Sequence, residues 1–178
     1  MNRPVGGELL REMIEAIGRS APDLADAPLT GALAMRGAAY SGELMWVGRA
    51  VNGWTKRGWS PAELRNPEHV AEFIEIVASS SVEEPCPLRW ITERWGKNDG
   101  DYNSAKSAFW RAAKKTLLRP DETDELWSSR LVWSNLYKIA PKDGGNPGSR
   151  LADIQFPFCR DILMQEIDRF RPRRIVFW

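Results

Sequence analysis

Three short, largely apolar runs constrain the fold of this chain more than any other feature. They lie at residues 43–47, 130–139 and 174–178, and segments with helical periodicity separate them. Runs of this kind are typical of strands buried on both faces of a parallel sheet. The helical segments predicted from apolar spacing are 7–17, 68–77, 104–118 and 151–170. The alternation predicts an α/β fold with a central, mostly parallel sheet and right-handed crossovers.

The length and local signals favour one domain over residues 1–178. Residues 1–42 form a helical lead-in to the first strand, and 54–100 form a long insert. Two signals mark the start of the helix in the insert: Asn66 can cap it, and Pro67 suits its first turn. Residues 141–148 are expected to form a loop, since they contain two prolines and a Gly-Gly pair.

Composition excludes several classes of protein. The chain has 25 basic and 24 acidic residues, so DNA contact requires a local basic patch. Cys86 and Cys159 are too few for a disulfide framework, and no His/Cys/Asp cluster has metal-ligand spacing. The charged N-terminal segment and the absence of an 18-residue apolar run predict a soluble, cytoplasmic protein without a membrane span. We also expect a monomer that uses neither a metal nor a cofactor.

Ligands of parallel α/β sheets bind beyond the carboxyl ends of the strands. Two loops follow strand runs here, at residues 48–58 and 135–148. A third loop should follow the last strand, but the sequence stops at Trp178. We therefore expect that the natural chain continues and that the C-terminal part of the fold is missing.

Four segments have an order that resembles a known family. They are Leu44-Met-Trp-Val-Gly48-Arg-Ala-Val-Asn-Gly53, Asp101-Tyr-Asn-Ser-Ala-Lys-Ser-Ala-Phe-Trp110, Val132-Trp-Ser-Asn-Leu-Tyr-Lys-Ile-Ala-Pro141 and the stretch from Asn146 to Cys159. The order resembles the uracil-DNA glycosylase superfamily. Tyr102 precedes a Phe-Trp pair as in its mismatch-specific branch, and the third segment is similar to Thr-Asn-x-x-Lys-x-x-Pro of its iron–sulfur branch. The resemblance implies a three-layer α/β/α fold and base excision from DNA.

The sequence departs from the family pattern in several places. No proline follows Gly48, and Ala50 stands where many members have a water-activating acid or amide. The segment between the first loop and Tyr102 is longer than in the family. The closing histidine loop is missing, and the only histidine, His69, lies in a helical stretch. Two cysteines are also too few to ligate an iron–sulfur cluster.

The resemblance implies roles for individual residues. Tyr102 is the candidate platform on which a flipped base stacks, although it equally suits packing at a helix start. Asn135 is the candidate that reads the base edge, because an amide offers both an acceptor and donors. Its alternative role is to cap a turn at a strand end. Gly48 and Ala50 belong to the base-binding loop.

The residue that positions the water has two candidates. Asn52 follows the first strand in the loop, and the mismatch-type members use an Asn for this role. Asp101 is the alternative, and its carboxylate is the stronger base.

Basic residues predict phosphate contacts in two places. Arg49, Lys56 and Arg57 flank the first loop, whereas Lys114 and Lys115 lie on the helical segment 104–118. Solvated helices are often rich in lysine and arginine, which is the alternative explanation for the second group.

The sequence thus predicts a DNA glycosylase that removes uracil or a modified pyrimidine, such as a cytosine with a bulky 5-substituent, with anti-phage defence as a suggested role. One alternative is a DNA-binding relative without catalysis. Another is a small-molecule or nucleotide hydrolase, which predicts a Gly-x-x-x-x-Gly-Lys loop that this sequence lacks.

Overall fold

The computed structural model describes residues 5–51, 53–82, 85–99, 102–121 and 123–178. In these ranges the chain is a mixed α/β structure with five α-helices and two small sheets. The helices are α1 (Gly7–Arg19), α2 (Pro67–Ser81), α3 (Arg89–Glu93), α4 (Ala108–Leu117) and α5 (Ser149–Phe170). The strands are β1 (Leu29–Gly31), β2 (Met35–Arg36), β3 (Leu44–Ala50), β4 (Leu131–Tyr137), β5 (Ile139–Pro141) and β6 (Arg174–Phe177).

The larger sheet has four strands in the order β2-β4-β3-β6. β3 pairs in parallel with both β4 and β6, whereas β2 runs antiparallel at the edge. The three predicted strand runs and their parallel pairing are therefore confirmed. The register sets Gly48 opposite Asn135, so the carboxyl ends of β3 and β4 meet at one edge of the sheet.

Helices pack on both faces of this sheet because side chains alternate along its strands. Trp46 and Trp133 face a cluster that contains Trp110 and Ala113 of α4. Met45, Val47 and Val132 point the other way and pack with Leu163 of α5. Behind α5, a further apolar cluster joins it to α1 and α2.

The local signals of the helices are confirmed. α1 spans the predicted segment, and the side chain of Asn66 accepts a hydrogen bond from the backbone N–H of Glu68 at the start of α2. α4 begins later than predicted: Ser104–Lys106 form a short 3₁₀ turn, and Ser107 caps the α-helix. The insert also contains α3, which the sequence did not indicate because its helix is only one turn long.

The second sheet was not predicted from the sequence. It pairs β1 with β5 antiparallel, so the lead-in contributes strands as well as a helix. The run 130–139 was expected to be one strand, but β4 ends at Tyr137. The side-chain amide of Gln155 in α5 bonds both backbone groups of Ile139, at 3.0 Å to N and 2.9 Å to O, and this contact directs the chain away from the larger sheet.

A buried ion pair lies beneath this turn of the chain. Lys138 Nζ donates to Glu166 Oε2 and to Ser134 Oγ, both at 2.7 Å, and Ser134 Oγ donates to the same carboxylate oxygen at 2.6 Å. The backbone N–H of Ala34 donates to Glu166 Oε1 at 2.9 Å. Lys138 and Glu166 have no exposed surface, so these contacts join α5, β4 and the segment after β1 away from water.

No helix in the described ranges combines the length and the apolar character that crossing a membrane requires.

Candidate functional site

An open cleft of about 1030 Å³ lies at the carboxyl ends of β3 and β4. Its described lining comes from parts of the chain that are far apart in sequence: residues 48–51, 53, 54 and 56, then Trp90, Arg94, Tyr102, Ser107, Phe109, Trp110, Trp133, Asn135, Gly145, Asn146 and Trp178. This is the edge of the sheet at which ligands of parallel α/β folds bind. The cleft brings together six residues that the sequence analysis had singled out: Gly48, Arg49, Ala50, Lys56, Tyr102 and Asn135.

Gly48, Phe109 and Asn135 form one end of the cleft, which we call the amide slot. A Cβ atom on Gly48 would lie 2.6 Å from Oδ1 of Asn135 and 3.1 Å from Cε2 of Phe109. Real Cβ atoms essentially never approach another atom to 2.6 Å, and 3.1 Å is tighter than most of their contacts. A glycine at this position is therefore what allows the amide and the aromatic ring to lie over the end of β3.

The amide of Asn135 is the most informative group in the slot. The residue is only 4% exposed, yet its side chain has no hydrogen bond to any described residue. The residue lines the cleft, and its amide atoms are not among the fully buried side-chain atoms without a partner. An amide that lines a cleft and has no internal partner is suited to bind a ligand with both donors and acceptors.

Phe109 is a site residue that the sequence analysis did not identify. The proposed stacking platform was Tyr102, which is 52% exposed and touches Trp90 at 6.0 Å between ring centroids. Phe109 is half-buried and packs edge-on against Trp46 at 5.9 Å and Trp110 at 4.7 Å. Its ring lies beside the Asn135 amide, so it is the better placed aromatic for a planar ligand in the slot. The sequence signal that could have indicated Phe109 is the Phe-Trp pair that follows the Ser107 cap.

Tryptophans form the rest of the wall. Trp133 of β4 meets Trp54 at 5.0 Å and Trp110 at 5.5 Å, and Trp90 meets Trp110 at 5.6 Å. Trp54 and Trp90 belong to the long insert, which therefore contributes directly to the cleft. Trp59, the second tryptophan of the first loop, lies elsewhere: it is fully buried and stacks on Phe73 in the core.

The cations predicted to contact phosphate divide into two groups. Arg49 and Lys56 are exposed and line the cleft. Arg57 does not line it, because its guanidinium binds Glu72 at 2.7 Å and lies over the ring of Trp59. Arg57 is nevertheless exposed, and its predicted contact with phosphate stays a prediction.

The two lysines of α4 also lie outside the cleft lining. Lys114 Nζ sits 4.7 Å from the ring centroid of Trp95, whereas Lys115 is exposed to solvent. The cation–π contact gives Lys114 a packing role, since such contacts contribute about 0.5–1 kcal/mol at exposed sites.

The described lining of the cleft contains no carboxylate or imidazole. Asn52 and Asp101, the two candidates for positioning a water, lie outside the described residues. Their chain neighbours Val51, Gly53 and Tyr102 line the cleft. His69 lies in α2, where its Nδ1 is 3.1 Å from the backbone oxygen of Glu63.

The described ranges contain no group of three His, Cys, Asp or Glu side chains that would hold a metal ion. Both cysteines are free thiols. Cys159 is buried in α5, and burial raises its pKa to about 11, which disfavours the thiolate needed for reactivity or metal binding. The described side chains that line the cleft offer amide, hydroxyl, aromatic and cationic groups.

No protein-family model matches this chain, and no curated protein or solved structure matches it.

Proposed function

We propose that this protein is a DNA glycosylase that excises a damaged or modified base. The observation that carries the proposal is the amide of Asn135, which lines the cleft beside Phe109 at the carboxyl edge of the parallel strands and has no hydrogen bond to a described residue. An amide offers an acceptor and two donors, which matches the polar edge of a nucleobase. A half-buried aromatic ring beside it offers the stacking surface.

The arrangement of the helices supports the same proposal. α4 packs on one face of the larger sheet and α5 on the other, and this packing supports the three-layer fold that the resemblance to the uracil-DNA glycosylase superfamily implies. Gly48 and Asn135 occupy the strand ends at which that resemblance puts the first loop and the base-reading residue.

The amide slot suits the chemistry of base excision. A base that leaves the stack costs a few kcal/mol, and stacking on an aromatic ring returns about 1–3 kcal/mol per base. When the N-glycosidic bond breaks, negative charge develops on the base and positive charge on the sugar. In this proposal the amide N–H groups of Asn135 stabilise the departing base, and Asn52 or Asp101 positions the water.

The size of the cleft favours a modified base over plain uracil. Pockets for drug-sized ligands measure about 300–1,000 Å³, and this cleft reaches the top of that range at about 1030 Å³. Trp54 and Trp90 of the insert extend the wall beyond the amide slot. A pyrimidine with a large 5-substituent would occupy more of this space than uracil.

The test is the formation of abasic sites. Oligonucleotides that contain uracil, hypoxanthine, hydroxymethylcytosine or glucosylated hydroxymethylcytosine, and native phage DNA with modified bases, are incubated with the protein and cleaved with alkali. Asn135→Ala is expected to lose about 1–3 kcal/mol of discrimination between bases. Leu136→Ala is the matched control, because this neighbour on β4 is exposed and does not line the cleft. Absence of abasic product from every substrate would refute the proposal.

DNA binding is tested separately from excision. Lys56→Ala is expected to weaken binding across all sequences and to reduce the salt slope by about one. Arg11→Ala serves as the control, since Arg11 is exposed on α1, lies outside the cleft lining and is not among the predicted phosphate contacts. Equal effects of the two substitutions would show that the cleft rim is not the DNA path.

A non-catalytic DNA-binding protein is the second candidate. It is favoured by Ala50 and by the lack of a carboxylate or imidazole in the described lining. This candidate predicts tight binding of DNA by the wild-type protein without abasic product. Asn52→Ala separates the two, because a residue that positions water lowers the single-turnover rate and leaves binding intact.

A further inference from the structure

Three aromatic side chains lie next to one another in the lining of the cleft that also contains the amide slot. Trp90 lies between Trp54, at 5.6 Å, and Tyr102, at 6.0 Å, and each neighbouring ring is inclined by 56° to it. All three residues line the cleft, Trp54 and Trp90 half-buried and Tyr102 mostly exposed. We call these three residues the aromatic cage.

The surface that Trp90 presents in the cage consists of ring carbon. Its indole nitrogen is buried and has no acceptor among the described residues, so the accessible part of the side chain does not include the N–H. The face of an aromatic ring carries negative charge density, and this attracts cations. Tryptophan is the strongest of the aromatic side chains in this respect, and tyrosine is also effective.

The three rings are tilted rather than parallel, which affects what they can contact. A flat neutral ring stacks on one of them at a time. A compact alkylated cation can touch several inclined rings at once, as in the cages that bind quaternary ammonium groups.

None of these three rings is in a cation–π contact with a side chain of the described part of the chain. The cation–π contacts found there involve the rings of Tyr40, Trp59 and Trp95, none of which belongs to the cage. A cation that binds the aromatic cage would therefore belong to a ligand, whereas the cations that contact Tyr40, Trp59 and Trp95 belong to the chain itself.

The described charged residues that line the cleft are cationic, so they do not attract a cation to the cage. The described lining has no carboxylate, so the attraction that the described residues offer a cation is that of the ring faces. Arg94 is bonded to Asp99 at 2.9 Å, and Arg49 and Lys56 are exposed, where solvent and salt weaken their repulsion of a cation.

We propose that the aromatic cage binds a positively charged, alkylated nitrogen of the base that the cleft receives. This inference rests on the proposed base-binding function. The charge has two chemical sources: an N-alkylated purine ring, or an alkylammonium arm on the 5-position of a pyrimidine. Both present a cation with attached carbon to the rings.

The test uses calorimetric titration of the intact protein with two pairs of nucleosides. 7-Methylguanosine is compared with guanosine, and 5-aminomethyl-2′-deoxyuridine with 5-hydroxymethyl-2′-deoxyuridine, so each cation has a neutral partner of similar shape. At least one cation is expected to bind about 2- to 30-fold more tightly than its partner. The pair that shows the preference identifies the source of the charge.

Tyr102→Leu is expected to reduce that preference without unfolding the protein, since the side chain is mostly exposed. Phe156→Leu is the matched control, because this aromatic residue is 61% exposed on α5 and does not line the cleft. Equal binding within both pairs, an unchanged preference in Tyr102→Leu, or no binding of any nucleoside at millimolar concentration would each overturn the proposal.

The outcome is independent of the abasic-site assay. Abasic product from neutral bases together with equal binding of cations and neutral nucleosides removes the cage and keeps the glycosylase. A cation preference that Tyr102→Leu abolishes, without abasic product from any DNA, keeps the cage and removes the glycosylase.

Discussion

Replacement of Glu166 by leucine, with Lys138 left in place, is expected to destabilise the fold by about 3–5 kcal/mol. The two side chains form an ion pair at 2.7 Å and have no exposed surface. Removal of the carboxylate leaves an ammonium group buried among apolar residues, with Ser134 Oγ as its remaining contact. A buried charge without a counter-charge has one of the largest costs that a single substitution can produce.

The structure also predicts which further substitutions recover the loss. Lys138→Met removes the orphaned charge, and Ser134→Ala removes the hydroxyl that donated to the carboxylate at 2.6 Å. The Ala34 N–H then remains as the group of this network without an acceptor. A buried donor without a partner costs about 1–3 kcal/mol. The triple variant is therefore expected to be more stable than Glu166→Leu alone, by about 1–3 kcal/mol.

The assay is urea denaturation at neutral pH, followed by circular dichroism, with the slope against urea compared between variants. Arg150→Met is the matched control, because its pair with Asp23 at 3.4 Å is exposed and such pairs contribute about 0–1 kcal/mol. The reasoning is wrong if the triple variant is as unstable as Glu166→Leu, or if Glu166→Leu costs no more than the control. Either result would mean that the burial of the charge does not determine the stability of this region.

Three further predictions concern the slot, the thiols and the response to acid. Gly48→Ala is expected to displace the Asn135 amide, because the new Cβ would lie 2.6 Å from Oδ1. The expected result is a loss of base discrimination in single-turnover excision, with a small change in the unfolding midpoint. With its pKa raised to about 11 by burial, Cys159 is expected to react with thiol reagents only after unfolding, whereas the half-buried Cys86 reacts first; equal native rates would contradict this. The hydrogen bond from the backbone N–H of Ser60 is the largest cause of the lowered pKa of Glu63. The Glu63 carboxylate therefore contributes to stability above its pKa in the unfolded chain, and this contribution is lost as the pH falls through its pKa in the folded protein. Denaturation of Glu63→Gln across the acid range should show its difference from wild type shrinking towards low pH.

The sequence alone determined the elements whose signals are local. α1 and α2 follow from apolar spacing and from the Asn66 cap, and each depends on residues within a few positions of one another. The strand runs were recognisable because burial on both faces requires continuous apolar character. Gly48 and Asn135 could be paired as site residues because parallel strands end at the same edge of a sheet.

Only the tertiary structure decided the features that depend on distant contacts. Gln155 and Glu166, far along the chain in α5, end β4 and hold the buried Lys138. Phe109 lies beside Asn135 because α4 packs on the face of the sheet that carries Trp46. Arg57 is removed from the cleft by a carboxylate fifteen residues away. A spacing pattern records which residues lie on one face of an element, whereas the partner of that face depends on packing between elements distant in sequence.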